Sequence, residues 1–140
     1  MGYFFKPAQY IKYRLKAKSR HGVHSPFVYR LVDECLLSRN GGNLDVRLAH
    51  YFEHYQLLIP PASTSGDWLS FYKNALAESE PETVILRIPD IHQSPVQHHA
   101  WLQLKQQQEV RLSIDLFHFG LLFFNPDFKE QEHFVLKYRP

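Results

Sequence analysis

Residues 83–95 read TVILRIPDIHQSP, and this stretch decides the fold of the chain. The segment 83–88 is nearly all apolar, which is typical of a β-strand covered on both faces. Ser94 followed by Pro95 predicts the N-cap and first residue of a helix that continues over residues 96–107. A buried strand that leads through a short polar turn into a helix is the repeating unit of an α/β sheet.

The flanking segments extend this sheet in both directions. Residues 57–59 form a short apolar run that Pro60 and Pro61 stop, and residues 67–78 predict a helix with one apolar face. Residues 110–117 alternate with a period of two, Gly120 interrupts, residues 121–124 resume, and residues 133–138 predict a closing strand. We therefore expect an α/β sheet of about four strands that ends in an antiparallel pair.

The first 55 residues predict helices. Apolar spacing indicates helices over about 7–18, 26–37 and 44–54. Ser25 and Pro26 predict the N-cap and first residue of the second helix. In the first helix, Ile11 and Leu15 are four residues apart, and Tyr10, Tyr13 and Ala17 are three and four apart, so these five residues predict an apolar side. We expect a single domain over 1–140, with a helical N-terminal extension (1–55) followed by the sheet (56–140).

The amino-acid composition is typical of a folded, single-domain protein. The 140 residues are 44% hydrophobic and 15% aromatic, which suits one folded domain and argues against disorder. The longest apolar stretches are far shorter than the roughly 18 residues of a membrane helix, and no signal-peptide pattern is present. A single cysteine, Cys35, excludes an internal disulfide and a cysteine-built zinc site, so we expect a cytoplasmic protein.

Charge is distributed unevenly. Residues 1–30 hold seven basic residues and no acid, whereas residues 31–140 hold nine basic and all 14 acidic residues. The basic helix could bind nucleic acid or another anion through a set of five side chains: Lys12, Arg14, Lys16, Lys18 and Arg20. Their spacing distributes the charge around the helix, so a solvated face that packs on the protein's own acidic body is the favoured interpretation.

Two motifs carry possible chemistry. Asp90 and His92 directly follow a strand, where ligands collect in open parallel sheets, and an acid beside an imidazole could act in general acid–base catalysis. The alternative is that both residues cap the next helix. None of the nine histidines has a recognised metal-ligand spacing, so no metal site is predicted.

The glycines exclude a common cofactor loop. None of the six glycines forms a G-x-G pair, so no dinucleotide or phosphate loop of the usual kind is predicted. One small-residue loop precedes a helix and could offer hydroxyl and N–H groups to an anion or cofactor; it comprises Ser63, Thr64, Ser65, Gly66 and Asp67. An ordinary capped loop is the favoured interpretation. Cys35 lies among apolar residues, so neither a cysteine nor a serine nucleophile is supported.

Several segments resemble one protein family. They are residues 10–18 (YIKYRLKAK), 21–29 (HGVHSPFVY), 84–95 (VILRIPDIHQSP), 110–124 (VRLSIDLFHFGLLFF) and 133–137 (HFVLK). In this order they resemble a bacterial group of class I S-adenosylmethionine (SAM)-dependent methyltransferases with an N-terminal helical extension. The resemblance implies a partial Rossmann-like, methyltransferase-like sheet preceded by helices.

The centre of the family's sheet is missing. The family places strand 1, a glycine-rich loop and an acid-tipped strand 2 between the matching segments, where only about 30 residues lie here. Pro89 also stands where the family has the first acid of a pair, and Asp90 where it has the second. The resemblance therefore implies a degenerate chain without the cofactor half, and it assigns no SAM-binding residue and no cofactor.

Loss of those strands would leave the strand at residues 57–59 as an open edge, which aggregates unless it is shortened, covered or paired. The prolines could shorten it, the N-terminal helices could cover it, or two copies could pair. The aromatic content favours pairing, so we expect a homodimer through this edge or an aromatic surface.

Three functions remain open. The favoured function is a non-catalytic interaction or regulatory module with a protein partner. The second is a minimal or split SAM-dependent methyltransferase that completes its site across a dimer or with another chain, with Asp90, His92 and residues 63–67 lining the pocket. The third, with the least support, is nucleic-acid binding through the basic helix.

Overall fold

The computed structural model describes residues 5–17, 25–38, 42–61 and 67–138. Within these ranges, five α-helices and five strands follow one another. The helices are α1 (Phe5–Lys16), α2 (Pro26–Leu31), α3 (Leu44–Tyr51), α4 (Trp68–Glu78) and α5 (Pro95–Lys105). The strands are β1 (Gln56–Leu58), β2 (Val84–Pro89), β3 (Leu112–Asp115), β4 (Phe119–Phe123) and β5 (Glu132–Val135). A π-helical turn (Val32–Leu36) extends α2, and a 3-10 turn (Pro81–Thr83) precedes β2.

Local sequence signals explain where two helices begin. The side chain of Ser25 accepts a hydrogen bond from the Val28 N–H at 3.3 Å, and Ser94 accepts one from the Gln97 N–H at the same distance. Each serine is followed by a proline at the first helical position, where the missing N–H has no cost. Both predicted N-caps are therefore confirmed.

The five strands form one mixed sheet in the order β1-β2-β4-β3-β5. β1 is parallel to β2, β5 is parallel to β3, and β4 runs antiparallel between β2 and β3. The predicted α/β class with an antiparallel pair and N-terminal helices is confirmed, and the sheet has five strands. The antiparallel pair is β3–β4, while the closing strand β5 pairs parallel to β3.

Both faces of the sheet are covered. Along β2, Ile85 packs with α2, the π-turn and α3 on one face, whereas Leu86 and Ile88 pack with α4 and α5 on the other. The same alternation places Ile114 of β3 towards α2 and α3 and leaves Asp115 facing the α5 side. Helices on both faces explain why β2 is apolar along nearly its whole length.

Helix α1 lies on the α5 side, next to the end of β5. The Tyr13 hydroxyl donates a hydrogen bond to the carbonyl of Leu136 and accepts one from the Tyr138 N–H at 2.9 Å. Tyr13 and Ala17 are buried, whereas Ile11 and Leu15 are 62% and 82% exposed. The predicted burial is confirmed for Tyr13 and Ala17 and wrong for Ile11 and Leu15, because the tyrosine hydroxyl finds backbone partners that turn the opposite side of the helix inward.

Gly120 does not interrupt the strand as predicted, since it lies within β4. A Cβ atom at this position would lie 2.3 Å from Cη2 of Trp101, closer than any real contact allows. The indole of Trp101 is fully buried against the bare backbone at Gly120. The glycine is therefore required by the close approach of α5 to the sheet.

In the described part of the chain, β1 pairs only with β2 and forms an edge of the sheet. It is three residues long and ends two residues before Pro60. Among the described residues, no helix is long and apolar enough to cross a membrane.

Candidate functional site

A buried carboxylate–imidazole pair lies where the α5 side of the sheet meets the β2–α5 loop. His92 Nε2 is 2.7 Å from Oδ2 of Asp115, and both residues are less than one-tenth exposed. The second oxygen of Asp115 accepts a hydrogen bond from the Phe117 N–H at 2.9 Å. Asp115 therefore orients the imidazole and the β3–β4 turn together.

A second imidazole continues this pair. His98, on α5, places Nδ1 2.9 Å from Nδ1 of His92. Burial, followed by the nearby His92, lowers the pKa of His98, against the opposing effect of Asp115. When His92 Nε2–H donates to Asp115, His92 Nδ1 accepts from His98 Nδ1–H, and no hydrogen bond engages His98 Nε2 among the described residues. The three side chains can thus act as a short proton relay.

The β3–β4 turn holds a strained aromatic residue against the relay. Phe117 has a φ of 68°, in the left-handed region that bulky side chains rarely adopt. Its ring stacks on His92 at 5.3 Å between centroids and also contacts the rings of Tyr10 and Tyr13 from α1. The Asp115 hydrogen bond and this aromatic packing together hold the strained conformation, which fixes one face of the His92 ring.

The structure separates the two predicted acid–base residues. The side chain of Asp90 is exposed, and its backbone has a φ of 53°, with its N–H donating to the His118 carbonyl at 2.8 Å. His92 is buried and bonded to Asp115. The alternative that both residues cap α5 is also wrong, because Ser94 supplies that cap.

The predicted basic side chains also separate. Lys12 and Lys16, four residues apart on α1, line a cavity with the His92–Asp115 pair, whereas Arg14 does not. Lys105 of α5, which the sequence did not single out, lines the same cavity. Lys18 and Arg20 lie outside the described residues.

The predicted small-residue loop is described only at its end. Ser63, Thr64, Ser65 and Gly66 lie outside the described residues. Asp67 is exposed and accepts a hydrogen bond from the Ser70 hydroxyl at 3.1 Å, so its side chain organises the first turn of α4. The described part of the loop therefore has a local structural partner.

A larger cavity, of about 1010 Å³, lies on the opposite face of the sheet between α3 and β2. Arg87 of β2 contributes to it, with Nε 3.2 Å from Oδ1 of Asp45 and the guanidinium 4.6 Å above the ring of Phe119. The ion pair and the ring hold the guanidinium in place. The cavity is large enough for a cofactor-sized molecule, but the described lining offers no glycine-rich cradle.

Sequence reasoning missed Asp115, His98 and Lys105. The sequence does show an acidic residue, Asp115, in the alternating segment 110–117. The same alternation, however, predicts that Asp115 lies on a solvent-exposed face of the strand. Only the packing of α1 and α5 over this face makes the acid a buried partner. Within the described ranges, no three His, Cys, Asp or Glu side chains are arranged to hold a metal ion.

The chain was compared with protein-family models, with curated proteins and with solved structures, and none of them matches it. The geometry of the described residues is therefore the basis for any assignment of function.

Proposed function

We propose that this protein is a non-catalytic, methyltransferase-like module that acts by binding a protein partner. The observation that carries the proposal is the position of β1, a three-residue strand at the edge of the sheet. The cofactor half of the family's sheet would lie beyond this strand. β1 resembles the family's fourth strand, so strands 1 to 3 would come before it, where only residues 52–55 separate α3 from β1, too few for those strands and their crossovers.

Two further features support the methyltransferase-like part of the proposal. The parallel β1–β2 pair joined through α4 and the antiparallel β3–β4 pair agree with the half sheet that the resemblance implies. No G-x-G pair occurs in the sequence, and Pro89 replaces one acid of the family's pair. These features favour a scaffold whose binding surface has replaced its cofactor site.

We further propose that the partner is a second copy of the chain, paired through β1. In the described part of the chain no strand pairs with the outer side of β1, and the strand is flanked by Tyr55 and Ile59, which are 36% and 46% exposed. A strand of three residues is too short for a stable interface of about 1,200–2,000 Å², so these flanking apolar side chains must contribute. Two-fold pairing would bury both.

The test of the dimer is sedimentation of the full chain at micromolar concentration. We expect a species of twice 16.6 kDa, converted to the monomer by Ile59→Lys. The matched control is Val96→Lys, which places the same charge on an exposed apolar residue of α5, away from the edge. A monomeric wild-type protein, or dissociation by both variants alike, would reject pairing through β1.

The test of the non-catalytic assignment is calorimetric titration with SAM and with its demethylated product. We expect no heat of binding from either compound. Micromolar binding of SAM would reject the first function. It would instead favour the second, a minimal or split methyltransferase, for which the Asp115–His92–His98 relay could supply the acid–base chemistry.

A further inference from the structure

A cavity of about 250 Å³ lies between α1, α5 and the strands β3 and β5. Its polar lining comes from distant parts of the chain: Lys12 and Lys16 from α1, His98 and Lys105 from α5, and Asp115 from β3. His92 and Asp115, both more than nine-tenths buried, lie in its wall. The cavity is therefore an ordered polar site, built by tertiary packing.

The charges around this cavity do not balance. Three lysines face it and Asp115 is the one carboxylate in its described lining. Asp115 is already engaged, since one oxygen bonds to His92 and the other to the Phe117 N–H. In the described part of the chain, none of the three ammonium groups lies within 4 Å of an acidic oxygen. The site holds excess positive charge.

The titration of its side chains reflects this excess. Burial is the main cause that lowers the pKa of Lys105, and Lys16 lowers it further while Asp115 opposes both. Lys105 and Lys12 also contribute to the lowered pKa of His98. Burial and Lys16 thus both disfavour the charged form of Lys105, and a bound anion would stabilise it.

The indole of Trp101 forms part of the cavity wall and is fully buried. Gly120 fixes the indole in this position, because the strand leaves it no other space.

We propose that this cavity binds a small oxyanion of the phosphate class, either free phosphate or a compact phosphate monoester. Lysine ammonium groups bind phosphate as point charges, and each offers three N–H donors to its oxygens. A volume of about 250 Å³ corresponds to about eight waters at roughly 30 Å³ each, which suits such an anion. It is below the range of about 300–1,000 Å³ that is usual for drug-sized ligands. The proposal does not depend on the function proposed above.

The test is calorimetric titration of the full chain with inorganic phosphate and with glycerol phosphate, at constant ionic strength set by chloride. We expect saturable binding of at least one of them, weakened tenfold or more by Lys105→Gln and by the pair Lys12→Gln and Lys16→Gln. The matched controls are Lys73→Gln on α4 and Lys137→Gln, both exposed lysines outside the cavity. These controls should bind as tightly as the wild type.

Three results would overturn the proposal. The first is no binding beyond that of chloride. The second is equal weakening by the control variants, which would indicate a diffuse surface effect. The third is binding of a mixed-sequence oligonucleotide without binding of either small phosphate, which would identify an extended nucleic-acid surface instead. Circular dichroism of each variant separates loss of binding from loss of folding.

Discussion

Substitution of Gly120 by alanine tests the packing that positions the candidate site. The added Cβ would lie 2.3, 2.6 and 2.8 Å from three ring atoms of Trp101, so the fully buried indole would have to move by more than about 1 Å to reach an ordinary contact distance. Overpacking of this kind costs about 1–3 kcal/mol. Replacing a glycine within a strand by alanine raises the free energy of unfolding by about 0.5–1 kcal/mol. We expect a net loss of about 1–2 kcal/mol.

The assay is thermal unfolding followed by circular dichroism. For a chain of 140 residues the loss corresponds to a decrease of about 3–7 °C in Tm. Trp101→Leu provides the matched background, because it removes the ring atoms that clash. In that background, Gly120→Ala should be neutral or stabilising, with a coupling energy of about 1–3 kcal/mol between the two sites. A higher Tm for Gly120→Ala alone, or the same effect in both backgrounds, would refute the close approach of Trp101 to β4.

Three further predictions concern stability and reactivity. Tyr13→Phe removes the hydroxyl that bonds Leu136 and Tyr138, and a denaturant titration should show a loss of about 1–3 kcal/mol; an unchanged midpoint would contradict the attachment of α1. Burial raises the pKa of Cys35 to about 11, so a thiol reagent at pH 8 should react only after urea is added, and fast labelling of the native protein would count against this burial. Burial lowers the pKa values of His98, His118 and His133, so on acidification the unfolded chain takes up protons before the folded protein does. The free energy of unfolding should therefore be highest above about pH 6.5 and decrease towards pH 5. A denaturation midpoint that rises on acidification would contradict this direction.

Most of the secondary structure was predictable because its signals are local. The serine–proline pairs at 25–26 and 94–95 start helices through bonds that span three residues. The apolar run at 83–88 predicts a doubly covered strand, and the structure places β2 there with helices on both faces. The prediction that Gly120 interrupts the strand is wrong because the glycine is required by the Trp101 ring of α5. A local sequence pattern contains no information about a ring from another element.

The candidate site was only partly predictable. His92 was identified from its position after a strand, but its partner was expected to be Asp90 and is Asp115, 23 positions further along the chain. The lysines of α1 were expected to bind an anion or to form a solvated face packed on the protein's own acidic body, and two of them face a cavity. Sequence spacing carries no information about which helix covers which strand.

The sequence by itself determined the α/β class, the order of helices and strands, and the absence of any G-x-G loop, because periodicity, capping and glycine placement act over a few neighbouring residues. Only the tertiary structure decided which polar residues meet. α1 docks through Tyr13 and not through Ile11 and Leu15, which brings Lys12 and Lys16 over Asp115 and buries the acid with His92. That choice depends on hydrogen bonds between residues more than a hundred positions apart.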